Sequence, residues 1–242
     1  MNAYALYDPV TFLVLGITFL STAPENSILL SDNDIANIQS TGGVTGWTVQ
    51  SGVLTWPTTA SILLAAQVNQ ISLLKIGCTQ AIFNGFSTVI NGSTYTITLR
   101  EDNTNHDQTN ILGILISANY VLSTAKAWSA NQTVAVNSYC TDGSGNFYIT
   151  YSGGTTGSSA PIWPTEYAVA VTDNTVTWYK MGFRISTVQG RIFADPLTSL
   201  NIGQQFIAFK NKMQSQYDTL KAQIMAATTV SDVQAIVWTT PS

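Results

Sequence analysis

Residues 61–99, SILLAAQVNQISLLKIGCTQAIFNGFSTVINGSTYTITL, hold both of the periodicities on which the fold turns. Leu64, Val68, Ile71, Lys75, Cys78 and Ile82 recur at helical spacing and share one stripe, with Leu74 and Ala81 beside it. The spacing predicts a helix of about 24 residues. Asn84-Gly85 ends it, because glycine tolerates the left-handed conformation of a C-terminal cap. From Phe86 the period drops to two. Phe86 to Ile90 and Tyr95 to Leu99 alternate around Asn91-Gly92, the strongest short signal for a hairpin turn. A helix running directly into an antiparallel hairpin predicts an α+β protein.

Working outward, Glu101 to His106 reads as a polar loop and Asp107 as the cap of a second helix, whose apolar face is Ile111, Leu112, Leu115, Ala118 and Leu122. Helix, hairpin and helix thus form one unit. The first 60 residues predict a β-rich head. Its strands are Ala3 to Tyr7, Phe12 to Leu20 and Ile28 to Leu30, followed by a short helix capped by Ser31 with Asp34 and carrying Ile35 and Ile38. A hairpin through Gln50-Ser51-Gly52 follows, with Pro57 stopping its second strand. Near the C-terminus Ile202, Phe206, Phe209, Met213, Tyr217, Leu220 and Ile224 follow one another at spacings of 4, 3, 4, 4, 3 and 4. This is close to the 3.5-residue repeat of a helix whose seam faces other helices, so the stripe predicts core or an oligomer contact. Thr229 with Asp232 caps a last short helix bearing Val233 and Ile236, and a C-terminal helical bundle is expected.

Between Trp128 and Gly182 the composition shifts to Gly, Ser, Thr, Tyr and Trp, with short strands predicted at Thr133 to Tyr139, Phe147 to Tyr151 and Val176 to Tyr179. This stretch reads as an inserted β module. The expected division is residues 1–60 as a docking head, 61–126 with 183–242 as a helix and hairpin domain, and 127–182 as the insert.

Composition narrows the function. The chain has 242 residues, 26.0 kDa and 45% apolar residues, enough for a sizeable core, but only 9% charged residues where globular proteins average roughly 25%. A net charge of -4 offers no cationic excess to displace counterions from phosphates, so no nucleic-acid partner is expected. One histidine and two cysteines exclude a His-rich or Cys-rich metal centre and a framework of several disulfides. No uninterrupted apolar run reaches the roughly 18 to 20 residues of a bilayer crossing; the nearest, Phe12 to Leu20, reads as strand. The first basic residue is Lys75, so no secretory signal and no membrane span are expected. A surface this poor in charge is weakly protected against association and suits a chain that works inside an assembly.

Three stretches resemble proteins of tailed-phage virions. Tyr4 to Pro9, YALYDP, with Trp47 to Leu54, WTVQSGVL, resembles the N-terminal part of tail-fibre and fibre-assembly proteins. Tyr95 to Asn105, YTITLREDNTN, with Asp107 to Gly113, DQTNILG, is similar to a phage tail domain of unknown function. That domain usually closes on a pattern like Leu220 to Thr229 with Val233 to Trp238. The insert, through Trp128 to Val134, Gly145 to Tyr148, Ser158 to Pro161, Trp163-Pro164 and Asp173 to Trp178, resembles a small β module of phage fibres, similar to carbohydrate-binding modules of chitinases. The resemblance implies a non-enzymatic virion protein of the tail, baseplate or fibre attachment apparatus, made in the host cytoplasm and acting without cofactor. Its implied partners are other virion proteins and further copies of itself, with threefold symmetry by analogy to fibres. It also implies a possible contact with a host surface glycan.

Few residues offer chemistry. Trp163, Tyr151, Tyr148 and Trp178 are candidate glycan contacts, because flat aromatic faces stack on sugar rings. Alternation makes Tyr148 and Trp178 core candidates as well, and Trp163, between two prolines, the best exposed one. Glu101, Asp102, His106 and Asp107 form the densest polar cluster, readable as an oxygen cation site or as a solvated loop around a helix cap. The glycines from Gly153 lack the Gly-Lys-Ser or Gly-Lys-Thr of a phosphate loop. Cys140 with His106 lacks the cationic setting that activates a thiol. A polysaccharide depolymerase, the enzymatic alternative, needs two carboxylates about 5 to 9.5 Å apart, and no motif places such a pair.

Overall fold

The computed structural model describes residues 1–241, and these fold as α+β with several separate sheets and five helices among them. The chain divides into two compact units, Met1–Cys78 with the C-terminal segment from Gln214, and Thr79–Met213. The insert lies within the second of these.

In the first unit β1 (Asn2–Tyr7), β2 (Val14–Leu20) and β3 (Ser27–Leu29) form an antiparallel sheet in the order β2-β1-β3. Asp8 turns the chain between β1 and β2, its carboxylate accepting from the backbone of Val10 and Thr11 at 2.9 and 2.7 Å. Helix α1 (Asp32–Ser40) opens on the expected capping box of Ser31 and Asp34. Strands β4 (Thr48–Gln50) and β5 (Val53–Thr55) form a hairpin through Ser51-Gly52, both at positive φ. Ala3, Ala5, Val14, Leu30, Ile38, Trp47 and Val49 make up this core, with the Trp47 indole N–H donating to Thr41 Oγ1 at 2.9 Å.

Helix α2 (Thr59–Phe83) has the expected length, but its buried line differs from the predicted stripe. Leu74, Cys78, Ala81 and Ile82 are buried as the stripe predicts, and Gln67 and Gln70 join them, whereas Val68 and Lys75 of the stripe are exposed, as are Ile62, Leu73 and Ile76. The reason lies in the partner. Helix α4 (Pro196–Ala226) ends in this unit, and its last carbonyls lack helical donors. The Gln67 amide donates to the carbonyls of Ile224 and Ala227 at 3.1 and 3.3 Å, while Gln70 donates to Ile236 at 2.6 Å, beyond helix α5 (Val230–Ala235). Burying two glutamines turns the helix's apolar arc outward. By length and composition alone α2 is long and apolar enough to cross a bilayer, although no uninterrupted apolar run in it is that long. Thr229 with Asp232 caps α5 as expected, and Trp238 packs so close to Gly77 that a Cβ there would lie 2.7 Å from its ring.

In the second unit β6 (Phe86–Ile90) and β7 (Ser93–Ile97) form the predicted Asn91-Gly92 hairpin. Gly85 enters it at φ +76, where a Cβ would collide with the Ile97 carbonyl, so glycine is required. Helix α3 (Asp107–Thr124) follows. The insert then supplies β8 (Lys126–Ala127), β9 (Thr133–Val134), β10 (Tyr139–Thr141), β11 (Phe147–Thr150), β12 (Gly154–Thr155), β13 (Ala170–Asp173) and β14 (Val176–Lys180). The strand predicted over Thr133 to Tyr139 is broken, since Asn137 takes φ 60. A five-stranded sheet runs β13-β14-β11-β10-β8, and β12 pairs with β9. After the insert, β15 (Phe183–Thr187) and β16 (Gly190–Ala194) extend the earlier hairpin into the sheet β16-β15-β7-β6, joining chain from both sides of the insert. Asp195 caps α4 through Thr198. Along α4, Ile202, Phe206, Met213, Leu220 and Ile224 are buried as the stripe predicts; Phe209 and Tyr217 are half-buried, Phe209 packing on Phe86 at 5.6 Å.

Candidate functional site

Alternation along the insert's strands sorts its aromatics onto two faces. Cys140, Tyr148, Val176 and Trp178 point inward, joined by Trp128, Val134, Trp163 and Val171. Tyr148 and Trp178 are fully buried and out of a ligand's reach, so they leave the set of glycan candidates. Trp163, expected to stand free between its prolines, is half-buried, its ring 4.2 Å from Tyr148 and 6.4 Å from Trp178. The loop tryptophan packs onto the cluster of Cys140, Tyr148, Val176 and Trp178. One carboxylate ties the cluster together. Asp173 Oδ2 accepts from the indoles of Trp128 and Trp178 at 2.7 and 3.1 Å, and its Oδ1 accepts from the Gly157 N–H at 2.7 Å. Asp142 anchors the adjoining turn, accepting from Asn146, Ser144 and the Tyr148 hydroxyl. Burial raises its carboxyl, yet these hydrogen bonds outweigh burial and hold it below the usual range.

The opposite face carries tyrosines. Tyr139 on β10 and Tyr179 on β14 both pair with Ile149 of β11, which sets them in one row, and Tyr151 follows two residues on. Tyr151 is 61% exposed, with its ring 5.4 Å from Tyr179. Tyr120 of α3, which lies outside the insert, meets Tyr139 edge-on at 6.0 Å. Burial, then Tyr120 and Tyr151, push the Tyr139 phenol up. Beside this pair opens a cleft of about 490 Å³, lined by Tyr120, Lys126, Trp128, Asn137, Ser138 and Tyr139 among others. Of the four aromatics singled out in the sequence only Tyr151 is exposed. Tyr139 and Tyr179 were detectable, being one residue out of phase with the buried Cys140 and Trp178.

The polar cluster before α3 is accounted for by capping. The Glu101 carboxylate accepts from the Thr109 N–H at 3.1 Å and lies 3.2 Å from His106 Nδ1, so Glu101 serves the helix start in place of the expected Asp107. The Thr109 N–H, with help from His106 and against slight desolvation, lowers its carboxyl. Asp107 is buried and bonds Arg100 through both backbone N–H and Nε at 3.2 Å. Asp102, held by Asn105 and Thr104, sits well below the usual carboxylate range. Among the described residues no group of three or more His, Cys, Asp or Glu is placed to hold a metal ion. Burial, then Asp173 and Asp142, push the Cys140 thiol up to about 12, the reverse of an activated nucleophile. A shallower cleft of about 380 Å³ lies between α3 and β15, with Arg184 and Arg191 at its edge.

Comparison with family models, curated proteins and solved structures finds no match to this chain.

Proposed function

We propose that the chain is a structural component of a tailed-phage virion, placed in the tail, baseplate or fibre attachment apparatus and working as a homo-oligomer through mechanical and adhesive contacts. The sequence resemblances supply the setting, and the outward apolar arc of α2 is the observation that carries the assembly role. At 100° per residue Ile62, Leu73 and Ile76 fall within about 60° of one another, an arc they share with Asn69, and all three are exposed while Gln67 and Gln70 are buried. Burying each such side chain contributes up to about 1.5–3 kcal/mol, so an uncovered arc favours a second copy against it.

Light scattering on the purified chain is expected to give a multiple of 26.0 kDa. The Leu73→Lys/Ile76→Lys variant is expected to return the monomer mass with unchanged circular dichroism. Antibody against the chain is expected to label the tail of particles from the strain that carries the gene. A monomer at every concentration together with unlabelled particles refutes the proposal.

A further inference from the structure

The cleft beside Tyr120 and Tyr139 is built from two parts of the chain, α3 and the insert, and its chemistry is uneven in an informative way. Its volume of about 490 Å³ falls within the roughly 300–1,000 Å³ of small-molecule sites. Tyr120, 58% exposed, and Tyr139 present ring surface, and Trp128 forms another wall. Among the described residues the side chains of Tyr120, Tyr139, Asn137, Ser138 and Lys126 make no hydrogen bond to the protein. They leave hydroxyl, amide and ammonium groups free to meet a ligand. Lys126 is the only charged residue on the lining; no Asp or Glu lines the cleft to neutralise it.

Aromatic rings with neutral hydroxyl and amide groups suit the C–H faces and hydroxyls of a sugar ring. A single unpaired ammonium adds a demand for one negative charge. A nucleotide brings two or more charges to that one cation on a chain of net charge -4, so it fits less well. We propose that this cleft binds an acidic sugar, a hexuronate residue of a polysaccharide, with its carboxylate on Lys126 and its ring against Tyr120 and Tyr139. The Trp163 surface has no part in it. Because Tyr120 belongs to α3, the excised insert lacks one wall of the site.

The test uses the full chain and oligosaccharides of galacturonate, glucuronate and mannuronate, with maltotriose as the neutral control. Binding is followed by calorimetry and by tryptophan fluorescence, since Trp128 lines the cleft. At least one uronate is expected to bind about tenfold or more tighter than maltotriose, and added salt is expected to weaken the uronate alone. Lys126→Gln is expected to remove that preference and Lys126→Arg to restore most of it. Tyr120→Ala is expected to weaken binding about fivefold at unchanged melting temperature, as for an exposed aromatic anchor. Absence of binding by every uronate, equal binding of acid and neutral sugars, or full affinity in both Lys126→Gln and Tyr120→Ala overturns the proposal. Each of these results stands apart from the particle-labelling experiment, which tests the virion role alone.

Discussion

Removing the Asp173 carboxylate tests whether the insert is held by one buried hub. Three donors converge on it: the Trp128 and Trp178 indoles on Oδ2, and the Gly157 N–H on Oδ1. Asp173 and Trp178 are buried, while Trp128 and Gly157 are half-buried. In Asp173→Ala the Trp178 N–H loses its partner where water cannot reach it, at about 1–3 kcal/mol, and the other two donors regain water in part. The sum is a destabilisation of about 3–5 kcal/mol. Asp173→Asn keeps one oxygen for both indoles but sets an amide N–H against the Gly157 N–H, so about 2 kcal/mol is expected. Urea unfolding followed by tryptophan fluorescence reads the effect, because Trp128, Trp163 and Trp178 surround the hub. The two units need not unfold together, so the transition that changes is the one assigned to the second unit, which contains the insert. An Asp173→Ala midpoint within about 0.5 kcal/mol of wild type, or an Asn variant weaker than the Ala variant, refutes the reasoning.

Trp163→Ala is expected to lower stability by about 2–4 kcal/mol, since its ring packs on Tyr148 at 4.2 Å; an unchanged melting curve assigns it to the surface. Phe206→Ala, at a fully buried position of the α4 stripe, is expected to remove about 3–5 kcal/mol, and a smaller loss than in Phe209→Ala contradicts the burial order. Deleting residues 127–181 is expected to leave a folded remainder, because β7 and β15 pair across the insertion point; loss of the circular dichroism of the helices argues against it. Asp142 has a folded carboxyl pKa below its ordinary 3.8, so its contribution is complete above that value and is lost as the pH falls through the folded value. Fluorescence of the insert is therefore expected to change below about pH 4, and a transition unaltered in Asp142→Asn assigns the change to another group.

Local chemistry by itself determined much of this protein. Ser31 with Asp34 and Thr229 with Asp232 cap helices where the sequence places them, because a cap needs partners only three residues away. Asn91-Gly92 makes its hairpin for the same reason, since the positive φ at both residues is a property of the turn itself. The α4 stripe was also legible, as a 31-residue helix averages out local exceptions. What tertiary structure decided were the faces. Gln67 reads as a surface residue until the Ile224 carbonyl, 157 positions away, gives its amide a buried partner, and that bond rotates the whole apolar arc of α2 outward. Trp163 reads as an exposed loop residue until the rings of Tyr148 and Trp178 take it into the insert's core. The cleft exists only because Tyr120 at the end of α3 meets Tyr139 across the start of the insert. Hydrogen-bond demand and packing between distant segments set these choices, and neither is written in the spacing of neighbouring residues.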